Sequence, residues 1–350
     1  MRAVVVGAGI NGLSAAWALA RAGASVTVLE AGSLPNPLGA SHDHHRLIRR
    51  HYPGRPDLAA AITEAFAAWD RLWADLGASH YVETGVLAIS TQEGDWADRA
   101  RDAFTGTAVE REELTAAQAA ERFAFLVPDA IRHVIYTPDG GALLADRILD
   151  GLVAHLRERG VELRDDAAVE RVDASDGTAT LKGGEVLRAD AVVCAANHGN
   201  AALGVPALPT ALHRSCTLYA DPPADVAPLY EGMPCWVDLG GDEDAWGIAP
   251  VAGLPIKLGL GALTRAVSAE ADRTMTEDEI CAILDHYGRR FRGLDRAHPV
   301  RAVANLYAMA PGEEHRVARH GRAVVIDACS GHGFKFGAMT GERAAAVALA

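Results

Sequence analysis

The feature that most narrows what this chain can fold into is its first thirty residues. Arg2 leads into the apolar run Ala3-Val4-Val5-Val6, which ends on Gly7-Ala8-Gly9-Ile10-Asn11-Gly12. An Ala-rich segment from Leu13 to Ala22 follows, then Gly23, then Ser25-Val26-Thr27-Val28-Leu29 and Glu30. Strand, glycine turn, helix, strand and acid stand in the order a βαβ dinucleotide site requires. Gly7 permits the tight turn, Gly9 admits a pyrophosphate close to backbone, and Gly12 lets helix and strand touch. The helix N-terminus offers free N–H groups and a positive dipole end to phosphates. Glu30 is placed to accept hydrogen bonds from an adenosine ribose.

What surrounds this opening excludes several classes. At 350 residues, 49% hydrophobic and 23% charged, the chain reads as a soluble globular protein of about two domains. Cys194, Cys216, Cys235, Cys281 and Cys329 are dispersed, with no C-x-x-C pair, so neither a disulfide frame nor a zinc site is expected. A net charge of -13 argues against a nucleic-acid surface. No signal peptide precedes the first strand and no apolar run is long enough to span a bilayer, so a cytoplasmic protein without membrane contact is expected.

Along the chain, Leu58 to Leu76 carries Ile62, Phe66, Trp69, Leu72 and Trp73 on one helical stripe, with Gly77 as C-cap. Thr84 to Ile89 reads as a strand, and two polar helices are expected between Asp95 and Glu121. Tyr136 to Gly141 is a turn cluster; Leu144 to Arg159 follows as a helix, Gly160 to Arg164 as a strand, Val169 to Leu187 as a hairpin and Ala189 to Ala196 as a buried strand. These look like a return to the nucleotide-binding sheet. Leu212 to Leu260 reads as short antiparallel strands. Thr276 to Phe291 reads as a helix with a Thr276–Glu279 capping box. Ala323 to Asp327 closes as a strand and Gly331 to Leu349 as a glycine-led helix. The expected fold class is α/β with an α+β second domain: a discontinuous Rossmann-like domain (1–52, 140–204 and 320–350) and an antiparallel-sheet domain (53–139 and 205–319).

Three further stretches carry chemistry-bearing residues. Ser41 to Tyr52 packs His42, His44, His45 and His51 among Arg46, Arg49 and Arg50. The companion arginines repel a cation and no cysteine is present, so no metal is expected there. Arg49 by itself is as readily a solvated surface arginine. Lys257 stands in the apolar run Leu254 to Leu260, either snorkelling at a sheet edge or functional. Ser330-Gly331-His332-Gly333-Phe334-Lys335-Phe336 follows the last strand; it is either an ordinary strand-turn-helix or a cofactor loop.

Together these segments resemble the D-amino-acid oxidase superfamily of flavoproteins, in its monomeric sarcosine oxidase and N-methyltryptophan oxidase branch. The match rests on the opening fingerprint through Glu30, on Ser41-His42-x-x-x-Arg46-x-x-Arg49, on Gly253 to Gly259 around Lys257, and on Ser330 to Phe336. The resemblance implies that the Rossmann-like domain binds FAD. The implied contacts are Gly7, Gly9, Ile10, Asn11, Gly12, Glu30, Ala31, Ser41, His42, Arg46, Leu47, Val169, Ala195, Ala196, Gly331, His332, Gly333, Phe334 and Lys335. It implies that Arg49 and Lys335 hold a substrate carboxylate, that His42 and Arg46 lie by the flavin ring, and that Lys257 is where oxygen is activated. The helix from Phe334 onward would aim its dipole at the flavin's pyrimidine edge, stabilising the reduced state. Three positions depart from the branch. Asn305 stands where the relatives attach flavin through cysteine, so non-covalent FAD is expected; Gly261 replaces a histidine; and Trp246 replaces a tyrosine of the substrate pocket. Tyr307 matches and is expected to line the site.

The expected function is FAD-dependent oxidation of the C–N bond of a secondary amine or amino acid to an imine, with oxygen reduced to hydrogen peroxide by a monomer. A dehydrogenase or biosynthetic tailoring oxidase of the same fold, or a flavin-binding partner without turnover, are the alternatives.

Overall fold

The computed structural model describes residues 1–239 and 244–350. At its centre is a six-stranded sheet whose order, from one edge, is Arg316–His320, Ala323–Asp327, Ala191–Cys194, Arg2–Val6, Ser25–Leu29 and Glu162–Arg164. All neighbours run parallel except the first pair. The opening strand is therefore central, with both its neighbours parallel to it. Its burial pattern, exposed at Arg2 and buried over the four apolar residues, is that of a strand covered on both faces.

Helix Ile10–Arg21 packs on one face against helix Gly337–Leu349, and small residues set how closely. A side chain at Gly341 would come within 2.3 Å of the Ser14 backbone, and one at Gly337 within 2.4 Å of Ile10. Two N-terminal and C-terminal segments are thus locked into one layer. The core on this face also takes in Ile62, Trp69 and Leu72 from helix Pro56–Leu76, the stripe its periodicity foretold. Gly77 ends that helix in the left-handed conformation, as expected of a C-cap.

The second body is a nine-stranded sheet, built mainly from residues after 210 but including Val86–Ser90, Glu112–Thr115 and His133–Thr137. Its longest pairing is Ala211–Asp221 against His298–Met309, antiparallel throughout. The sheet is antiparallel as expected, with one parallel pairing, Cys235–Asp238 against Val86–Ser90. Two corrections concern local elements. The 169–188 segment is not part of the nucleotide-binding sheet but a separate three-stranded antiparallel sheet beside it. The closing helix does not start at Gly331 or Phe334. Gly333–Phe336 is a single 3-10 turn and the α-helix begins at Gly337. The Thr276–Glu279 capping box is present, on a helix that ends at Gly288.

No helix among the described residues is long and apolar enough to cross a membrane.

Candidate active site

A cavity of about 620 Å³ opens where the parallel strands end. Gly7 follows the first strand, Glu30 the second, and Ala195, Ala196 and Ala328 the next two; all of them line it. This is the carboxyl-end crevice in which open parallel sheets bind ligands. Ile10, Asn11, Gly9, Ala31, Ser41, His42, Val169, Gly333 and Phe334 line it too. Gly12 does not. It makes the helix–strand contact instead, since a Cβ there would stand 1.8 Å from the Gly7 carbonyl oxygen. Gly7 has φ +99°, and a Cβ on it would meet the Ala195 carbonyl at 2.6 Å. These two positions accept no side chain.

The polar groups of the cavity suit an adenine dinucleotide. Gly9 caps the first helix without a side-chain hydrogen bond of its own, which leaves the leading amides after Ile10 open to phosphate. Ser41 Oγ accepts from Ile10 N at 3.0 Å, tying the 41–46 loop to that helix start. Glu30 is buried, and accepts from Ala8 N at 2.7 Å and Asn36 Nδ2 at 2.8 Å. Its carboxylate is thus fixed by backbone at the mouth where a ribose would stand. Asn11 Oδ1 is enclosed without a partner. Volume, glycine cradle and unpartnered polar atom together fit FAD. Sequence reasoning did not single out Asn36, Leu306 or Cys329, which also line the cavity. They come from a loop, a long strand and the end of another strand, without a motif of their own.

A second group of expected residues lies beyond Phe334, outside the cavity wall. Arg46 stands over the Phe334 ring at 5.8 Å and donates to the carbonyls of Ala40 and His45 at 3.1 Å. It also donates to the His42 carbonyl at 3.4 Å and to Asp43 Oδ2 at 2.6 Å. Lys257 also donates to Asp43, and to the His45 carbonyl at 3.2 Å. Lys257 is 1% exposed and its strand lies inside the sheet, between Ala211–Asp221 and Ala245–Ile248. The edge-snorkelling alternative is thereby excluded. Burial pulls its pKa down to about 8, while Asp43 opposes that fall. Burial alone would raise the Asp43 carboxyl, but Lys257 and Arg46 overcome it and hold the group far below its ordinary value. Asp43 carried no sequence signal beyond being the lone acid in a basic run.

The third group surrounds Tyr52. Arg49 lies with its guanidinium 4.5 Å from the Tyr52 ring centroid and 5.0 Å from that of Trp96, and its Nη1 is enclosed without a hydrogen-bond partner. It is no solvated surface arginine. Lys335 is 8% exposed, with its Nζ 6.0 Å from the same Tyr52 ring. Neither cation forms an ion pair with a described residue. Burial, then Arg49, drives the Lys335 pKa well below its ordinary value. His51, against Trp96 and Phe104, is pushed to about 3 by burial and by Arg49, so it is neutral at physiological pH.

The remaining expected residues divide. Tyr307 lies against Gly331, and burial raises its pKa to about 12. Trp246 covers Gly259, with its ring 5.6 Å from Lys257 Nζ. His332, half-buried and pushed to about 2 by desolvation, faces Tyr52 and Phe336 instead of the cavity. Leu47 is not brought to the cavity: it points into the core of the nine-stranded sheet. No group of three or more potential metal ligands is present among the described residues.

Sheet order, cavity and glycine cradle define a two-sheet dinucleotide-binding protein. The family model described as "FAD dependent oxidoreductase" (DAO) matches residues 2–347, and the chain belongs to that family. It is similar to N-methyl-L-tryptophan oxidase of Yersinia pestis, 24% identical over 98% of this chain and 93% of that protein. To peroxisomal sarcosine oxidase of Mus musculus it is 29% identical over 150 residues, 43% of this chain and 38% of that one. Among solved structures, NikD, described as an unusual amino acid oxidase essential for nikkomycin biosynthesis, superposes with TM-score 0.84 at 22% identity, covering 99% of this chain and 93% of that one. Glycine oxidase from Bacillus cereus does so with TM-score 0.82 at 17% identity, covering 99% and 94%.

Proposed function

We propose that this protein oxidises the C–N bond of a small amine that carries a carboxylate, with non-covalent FAD and with oxygen as the electron acceptor. One observation carries the substrate class: Arg49 and Lys335 both lie against Tyr52, and neither forms an ion pair with a described residue. Enclosed charge without a counter-ion is costly, and an anionic group of the substrate supplies the counter-ion. The arginine offers a fork to a planar carboxylate and the lysine a point charge. The names of the curated relatives, sarcosine oxidase and N-methyl-L-tryptophan oxidase, support an N-substituted amino acid.

Gly7, Gly9, Gly12, Glu30 and Ser41 would hold the cofactor's adenosine and pyrophosphate, and His42, Gly333 and Phe334 its far end. Bound FAD supplies a two-electron acceptor for the hydride equivalent on the carbon next to nitrogen. Arg49 and Lys335 orient the substrate by its carboxylate, while Tyr52, Trp96 and His51 keep water from the charges. Overall the amine loses two electrons and two protons to give an imine, and oxygen takes up both to leave as hydrogen peroxide. Lys257 provides the fixed cation near which negative charge on oxygen is stabilised. The chain acts as a monomer divided at 1–52, 140–204 and 320–350 for the cofactor and 53–139 and 205–319 for the substrate.

The test is anaerobic mixing of the FAD-loaded protein with N-methyl and cyclic imino acids, followed by visible absorbance. Bleaching by one of them supports the reading. Bleaching only by hydroxy acids or alcohols contradicts it.

A further inference from the structure

We propose that Asp43 is a positioning residue of this site: it is the counter-ion that keeps the Lys257 amine charged and fixes where that charge stands. The inference rests on the reading of Lys257 as the cation on the acceptor side, and it names the residue on which that cation depends.

The geometry comes from strand register. Tyr219 is paired with Lys257 on one neighbouring strand and with Arg301 on the other. Residues directly opposite in a sheet project from the same face, so the three side chains converge on one point. Asp43, carried in by the loop after His42, fills that point with its side chain fully buried. Tyr219 donates to its Oδ1 at 2.6 Å, and Arg301 approaches the same oxygen at 3.5 Å. Arg46 and Lys257 share Oδ2. The groups facing Lys257 from all packed elements are therefore Asp43, His45 and Arg46 from the loop, Tyr219 from one strand and Arg301 from another.

These partners are not equivalent. Arg46 spreads its charge over three backbone carbonyls as well as Asp43, with its side chain 18% exposed. Arg301 is 36% exposed in its side chain, so solvent screens part of its charge. Among the described residues Lys257, 1% exposed, donates only to Asp43 and the neutral His45 carbonyl. The His45 imidazole stacks on Tyr219 and is held neutral by burial and by Lys257, so it supplies no negative charge. Among the described residues Asp43 is thus the single anion compensating Lys257, against two arginines that disfavour its proton. An amine this deeply enclosed loses its proton near neutrality without a counter-ion. Asp43 touches neither the cavity nor the Tyr52 group, so its effect on the reaction passes through Lys257.

The chain's lysine content makes the claim directly measurable. It holds three lysines, Lys182, Lys257 and Lys335. The FAD-loaded protein labelled with carbon-13 at lysine Cε gives three signals, assigned by replacing each lysine in turn. In the wild type, Lys257 is expected to be charged at pH 7 and to titrate at about pH 8. In Asp43→Asn its midpoint is expected to fall by more than about one pH unit. The same variant should slow reoxidation by oxygen at pH 7 by about tenfold more than it slows anaerobic reduction by substrate. In a Lys257→Met background the Asp43→Asn change should alter the oxygen step by less than about twofold. Asp43→Glu, which keeps the charge, should restore the Lys257 midpoint toward the wild-type value.

An unchanged Lys257 titration in Asp43→Asn overturns the proposal, as does equal slowing of both half-reactions in both backgrounds, which is what a mere strut would give. If Asp43→Asn does not fold, the wild-type titration decides. A Lys257 charged at pH 7 supports the proposal and a neutral one overturns it. The titration stands whether or not an amine proves to be the substrate, so failure here and failure of the functional reading are distinct results.

Discussion

The guanidinium of Arg49 stacks 4.5 Å from the Tyr52 ring centroid while its Nη1 is enclosed without a partner. Aromatic faces relieve part of the cost of burying a guanidinium, yet they leave its in-plane donors free for an incoming acceptor. Replacing Arg49 by Met should lower kcat/KM for a carboxylated amine by about 10- to 100-fold, the worth of one hydrogen-bonded charge. Arg49→Lys should recover little, because it restores neither the fork nor the stacking. Steady-state kinetics with each variant check this.

A methyl group at Gly12 would stand 1.8 Å from the Gly7 carbonyl oxygen. Gly12→Ala therefore pushes the first helix away from the strand it follows, moving the amides that face the phosphates. The expected result is a protein that retains its helical circular dichroism but purifies with at least about tenfold less bound FAD. Gly160→Ala is the control: its φ of +75° adds local strain, but no atom lies within 4 Å of its Cβ position and it does not line the cavity.

How the fold and site were legible depends on whether chemistry was local in sequence. The glycine fingerprint, the Gly77 cap and the Thr276–Glu279 capping box are made by residues a few positions apart, and all three stand in the structure as their spacing requires. Lys257 was conspicuous because one charge sat in an apolar strand. Asp43 was not, because its meaning is set by Tyr219, Lys257 and Arg301, residues 176 or more positions away that only strand register brings together. Trp96, which completes the Arg49 stack, lies in the stretch whose composition points only to polar helices. The closing helix was placed too early because Gly331 and Gly333 resemble a helix start, whereas Gly333 packs against the Ala328 carbonyl and holds the chain in a 3-10 turn.

Asn305 pairs with Ser215 in the long antiparallel ribbon, and Cys329 lies instead at the cavity wall. Burial raises the Cys329 thiol's pKa, so it is a poor nucleophile at neutral pH. Acid precipitation of the loaded protein should therefore release all the yellow colour into the supernatant. Colour retained in the pellet would show a covalent bond and contradict non-covalent binding.

Glu279 joins two devices: it completes the cap of its own helix and accepts from the buried Arg214 at 2.7 Å. The hydrogen bond from Arg214 lowers its pKa to about 2 from 4.5. A depressed acid contributes stability that is complete above the unfolded value and is lost as pH falls toward the folded one. Thermal unfolding followed from pH 6 down to about pH 3 should show a steeper loss of Tm in the wild type than in Glu279→Gln, which starts lower. Parallel curves would remove Glu279 from the acid response.

The central claim is that two enclosed cations read the substrate's carboxylate, and paired substrates test it most directly. Each amino acid that bleaches the flavin anaerobically is compared with the same amine lacking its carboxylate, in the wild type and in Arg49→Met. The account predicts that loss of the carboxylate slows reduction of the wild type by about 100-fold or more, and that the two substrates differ by less than about tenfold in Arg49→Met. Equal reduction of the wild type by both members of a pair would contradict it.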